Sequence, residues 1–102
     1  MSPESTDTPV SPEQIESAVF KIVRELSGKE EVTPEMNLVE DLNFDALDVV
    51  ECIMWMEEAL SEFVTYTVFI TDEDCDNCET VGDLIKVAEK ALFVSREFSS
   101  LM

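Results

Sequence analysis

The run Asp41-Leu42-Asn43-Phe44-Asp45-Ala46-Leu47-Asp48-Val49-Val50-Glu51-Cys52-Ile53-Met54-Trp55-Met56-Glu57-Glu58-Ala59-Leu60 decides how this chain folds. Placed at about 100° per residue, Val49, Cys52, Ile53, Met56 and Leu60 fall within one arc, the pattern of a helix with a core face. The helix holds more apolar residues than that arc. Leu47, Val50 and Met54 lie on the opposite side, flanked by Asp48, Glu51 and Glu58, with Trp55 near the acidic edge. A small bundle can bury two faces of a central helix. An apolar strip rimmed by carboxylates, with no cation nearby, reads better as a docking surface for basic partners.

Upstream, Ser11-Pro12-Glu13-Gln14 supplies an N-cap, a proline at the first helical position and a glutamine able to close a capping box. Ile15, Ala18, Val19, Ile22, Val23 and Leu26 follow at helical spacing, and Gly28 suits a helix C-terminus. From Lys29 to Phe44 the turn signals Thr33-Pro34 and Leu42-Asn43 predict a long ordered loop, pinned by Met36, Leu38, Val39 and Leu42. Downstream, Thr80-Val81-Gly82-Asp83 offers another capping box, continued by Val81, Leu84, Ile85, Ala88, Ala91 and Leu92. With a short helix near Asp72 to Cys78, the fold class is all-α, a four-helix bundle. Residues 1–10 are Ser/Thr/Pro-rich and are expected to form a disordered tail, 11–94 the domain and 95–102 a frayed end.

A chain of 102 residues with 45% hydrophobic content fits one small domain and one core. Six basic residues against twenty-four acidic ones leave a net charge of -18. Residues 30 to 85 hold seventeen of the acids and no Lys or Arg. Such a field favours solubility and disfavours nucleic acid and anionic membrane as partners. No apolar run approaches a membrane span, and the N-terminus lacks the basic and apolar regions of a secretory signal. A cytoplasmic monomer, not inserted in a membrane, is expected.

Residues 41–60, with the Val39-Glu40 lead-in and the later Thr80-Val81-Gly82-Asp83, resemble the acyl carrier protein family over about residues 13 to 92. The family's usual motif is Asp-Ser-Leu at the start of the second helix. The resemblance implies a non-enzymatic carrier whose serine holds a 4′-phosphopantetheine arm, with acyl intermediates attached as thioesters for fatty acid, polyketide or specialised lipid synthesis. It implies partners with basic docking patches, phosphopantetheinyl transferase and acyl-processing enzymes, meeting Asp45, Leu47, Asp48, Glu51, Met54, Glu57 and Glu58, beside Trp55. It also implies an acyl cavity, expected at Val49, Ile53, Met56, Leu60, Ile70 and Leu84.

One position departs. Ala46 stands where the attachment serine belongs, and transfer of the arm needs a hydroxyl nucleophile that a methyl group cannot supply. Two origins stay open: a natural arm-less relative acting as an interaction or scaffold subunit, or a Ser-to-Ala substitution that blocks loading. The intact recognition set around Ala46 favours the second.

Three other features invite sharper stories. Cys75-Asp76-Asn77-Cys78 has redox or half-zinc spacing, but a single pair without any histidine reads better as core thiols, as does Cys52. Asp72, Asp74, Asp76 and Asp83 imitate an EF-hand loop, yet Asn77 replaces its glycine and Asp83 its bidentate glutamate, so no specific metal site is expected. Residues 61–68, SEFVTYTV, lengthen the link after the second helix by roughly six residues relative to the family and favour extended structure. Covering the acyl cavity, lengthening the helix and contacting a dedicated partner are the roles open to it.

Overall fold

The structure, a computed structural model, describes residues 11–64 and 68–100, with side chains described as far as Leu92. The expected disordered tail at 1–10 and the middle of the 61–68 link lie outside the described residues. Four helices follow in order: α1 (Pro12–Ser27), α2 (Ala46–Ser61), α3 (Asp72–Asp76) and α4 (Val81–Ser100). Among the described residues there is one isolated bridge, Asn37 with Thr80, and no strand.

Each helix begins where the sequence supplies a cap. At α1 the Ser11 hydroxyl accepts from the Gln14 N–H at 3.2 Å, and the Gln14 side chain accepts from the Ser11 N–H at 3.0 Å. Gly28 then ends the helix in the left-handed region, φ 76°, its N–H reaching back to the Arg24 carbonyl. The core-facing stripe is Ile15, Val19, Ile22 and Val23.

The 29–44 loop owes its order to hydrogen bonds with the start of α4. Leu38 N–H donates to Glu79 O at 2.9 Å, Val81 N–H to Met36 O at 3.0 Å and Gly82 N–H to Pro34 O at 2.9 Å. The approach at Gly82 is close enough that an added Cβ would sit 3.2 Å from the Pro34 carbonyl oxygen. Asn37 turns the strap, its side-chain oxygen accepting from the Val39 and Glu40 N–H groups, both at 2.9 Å. Leu38, Leu42 and Phe44 anchor it in the core. Val39, expected among the anchors, instead points outward and is 63% exposed, while Phe44 takes the inward place. Asn43 adopts φ 59°, which suits the short polar side chain and delivers the chain into α2.

The core collects Val19 and Val23, Leu38, Met56 and Leu60, Val68, Val81 and Leu84, all nearly inaccessible to solvent. Removing each such side chain from water contributes about 1.5–3 kcal/mol. Two differences from the expected boundaries stand out. Helix α3 is one turn, ending before Cys78, because the chain must be extended at Glu79 and Thr80 to meet Leu38 and Asn37. Helix α4 runs to Ser100, through the segment expected to fray, since Phe93 to Ser100 contains no Gly or Pro to stop it.

Candidate functional site

Helix α2 opens with a reciprocal cap made of two carboxylates. Asp45 accepts from the Asp48 N–H at 2.9 Å, and Asp48 accepts from the Asp45 N–H at 3.1 Å. Negative charge at a helix N-terminus is stabilising, so these two acids hold the helix start as well as colouring its surface. Ala46, the first helical residue, is exposed between them.

Beyond Ala46 the outward strip of α2 is open. Leu47 is 71% exposed, Met54 53% and Val50 46%, and Glu51 and Glu58 are exposed beside them. Trp55, 41% exposed, faces the side toward α1. Glu57 differs from its neighbours: it is half-buried, and its carboxylate accepts from the Ile70 N–H at 2.6 Å. Its charge is therefore tied to the segment after α2. On the inward side, Ile53, Met56, Leu60, Ile70 and Leu84 are buried in one cluster, with Val49 packed against it.

The thiols have no reactive setting. Cys52 is buried, its pKa pushed up to about 12 chiefly by burial. Cys78 is likewise raised to about 12, by burial first and then by Asp83, and Cys75 is raised mainly by burial. All three stay protonated at neutral pH, which suits packing and opposes both nucleophilic and metal chemistry. The Cys78 thiol donates to the Asp74 carbonyl at 3.3 Å. Among the described residues no group of three or more candidate ligands converges. Asp83 is engaged otherwise: it accepts from the Glu79 and Thr80 N–H groups at 2.9 and 3.1 Å. These bonds, the Glu79 one foremost, hold its carboxyl below the ordinary range. Asp74 pairs with Lys90 at 3.1 Å.

Two features escaped the sequence. The Glu57 bond to Ile70 spans the link, and only the position of Glu57 at the border of the core arc hinted at it. A groove of about 540 Å³ between α1 and α2 needs the two helices juxtaposed before it exists. No described helix is long and apolar enough to cross a membrane.

A four-helix domain with an open apolar strip that starts at a capped, exposed helix N-terminus has the architecture of a carrier-type protein. Comparisons with known proteins agree. The chain is 37% identical over 84 residues to the meromycolate extension acyl carrier protein of Mycobacterium tuberculosis, covering 80% of this chain and 68% of that one. It is 36% identical over 83 residues to the acyl carrier protein of Buchnera aphidicola, covering 79% of this chain and 99% of the relative. A solved structure from Mycobacterium tuberculosis, provisionally described as an acyl carrier protein, superposes with a TM-score of 0.64 at 25% identity, over 74% of this chain and 95% of that one. No family model matches. The chain belongs to the acyl carrier protein family. Members of that family are carriers, not enzymes.

Proposed function

We propose that this chain presents the docking face of an acyl carrier to phosphopantetheinyl transferase and acyl-processing enzymes, in a form that cannot be loaded. The observation that carries this reading is Ala46 itself: exposed at the first position of α2, framed by the Asp45–Asp48 cap, and followed by the open strip of Leu47, Val50 and Met54. The setting suits a modified side chain, and the methyl group does not. No phosphopantetheine arm can be attached here, because the residue has no nucleophile. With serine in its place, the oxygen would stand at a helix N-terminus, where a phosphodiester is electrostatically favoured.

In the Ala46→Ser form the protein would carry acyl thioesters on 4′-phosphopantetheine, and the cluster of Val49, Ile53, Met56, Leu60, Ile70 and Leu84 would shelter the chain. It would work in the cytoplasm as a monomer, for fatty acid or related lipid or polyketide synthesis. The intact cap and strip favour Ala46 as a block on loading. The second reading, a natural arm-less subunit that binds a basic partner through the same strip, rests on Ala46 as it stands.

Intact mass after incubation with coenzyme A, magnesium and a broad-specificity phosphopantetheinyl transferase tests the pair. A gain of one phosphopantetheine group by the Ala46→Ser protein, and by it alone, is expected. A folded serine variant that gains nothing would overturn the carrier reading and leave the arm-less one.

A further inference from the structure

We propose that Glu57 is the latch of the acyl shelter: by holding the Ile70 N–H, its carboxylate keeps the segment that enters α3 pressed on α2 and the seam beneath it shut. On the shelter reading, which this latch presupposes, an acyl chain has to reach Met56, Leu60 and Leu84. All three are wholly buried, so part of the wall around them must move. Ile70 is the most accessible of the buried residues in that wall, at 8%, and marks where the way in begins.

The two ends of α3 show which part yields. Its far end is bound to the buried strap, where Leu38 fills the core and donates its N–H to Glu79 O at 2.9 Å. At the near end Val68 and Ile70 turn inward and Phe69 outward, the alternation of an extended segment. Two side chains of α2 reach across to hold that segment: Ser61 accepts from the Val68 N–H at 2.9 Å, and Glu57 from the Ile70 N–H at 2.6 Å. Between the ends α3 is one turn with no buried residue, so its position follows theirs. A bond to a carboxylate is roughly twice as strong as one to a hydroxyl, which makes Glu57 the firmer of the two holds. It is also one that can let go, because Glu57 is half-buried and its carboxylate can turn to water as the Ile70 N–H lifts into it.

The test keeps Ala46 in place, so its outcome is independent of loading. Amide hydrogen exchange at Ile70 reads the opening, and binding of the neutral apolar dye N-phenyl-1-naphthylamine reads entry to the seam. Affinity scales with the population of the binding-competent form, so the two readouts should move by one factor. In Glu57→Ala, exchange at Ile70 should quicken about tenfold and the dye should bind about tenfold tighter. Glu57→Gln, which keeps a neutral acceptor, should fall between that variant and the native chain. Ser11→Ala is the control for mere loss of stability, since it removes the cap of α1, a helix that does not pack on α3, and it should move neither readout. Unchanged exchange at Ile70, faster exchange without tighter dye binding, or the same response from Ser11→Ala would each overturn the latch and leave the shelter standing. No dye binding by any of the proteins would overturn the shelter reading, and the latch with it.

Discussion

At the start of α2, Asp45 and Asp48 each donate a backbone N–H to the other's side-chain oxygen; at the start of α4, Thr80 and Asp83 make the same kind of exchange. The first residue after the cap then meets opposite fates. Ala46 is exposed, whereas Val81 is wholly buried beneath the 34–38 strap that binds back to it. Capping is a local matter, decided by four residues. Whether a helix start is open to chemistry depends on what the rest of the chain lays over it, and of these two the start of α2 is the one left bare.

The largest effect should come from loosening the strap. Leu38 is 1% exposed and its N–H is bound to Glu79, so Leu38→Ala should cost about 2–5 kcal/mol in urea denaturation. A loss below about 1 kcal/mol would mean that the strap does not hold α4, and the contrast would collapse. Next come the caps. Asp83→Ala frees two backbone donors at a half-buried site and should cost about 1–2 kcal/mol, while Asp48→Ala, freeing one at the surface, should cost about 0.5 kcal/mol. Equal costs would show that cover adds nothing to a cap.

Titration sharpens the same contrast. The Asp83 carboxyl is held below its ordinary range, so its contribution is complete above the unfolded value and is lost as pH falls through the lowered folded value. The stability gap between the native chain and Asp83→Asn should therefore narrow on acidification. A gap independent of pH would remove the ionised carboxylate from the cap. The smallest effect belongs to the open strip: Leu47→Ala should change stability by no more than about 0.5 kcal/mol, because most of the side chain is already in water. Its consequence should appear instead as weaker binding of the transferase to the Ala46→Ser protein.

The caps and periodic faces were legible because each rests on residues three or four apart. Ser11 with Gln14, Thr80 with Asp83, and the inward arc of α2 all stand where that spacing put them. What stayed hidden depends on contacts between distant segments. Phe44 displaced Val39 as a loop anchor because the bond from Phe44 N–H to Leu38 O sets which side chain turns inward. Helix α3 stopped early because Glu79 was needed elsewhere. At the site, Ala46 and its exposed neighbours Leu47, Val50 and Met54 could be read from one helix. The structural duty of Glu57 could not, since its partner lies 13 residues away.

That duty has a wider consequence. Ser61 accepts from the Val68 N–H at 2.9 Å, and Glu57 accepts from the Ile70 N–H, so both closures of the link are made on α2 itself. A clasp of this kind separates the length of the connection from the geometry of the bundle. Residues added between Ser61 and Val68 would lengthen a closed loop at about 0.6 kcal/mol per doubling, without moving α3 or α4. The link is thus a natural graft point, where an affinity tag or a whole recognition loop can be inserted while the open strip of α2 and the core keep their places.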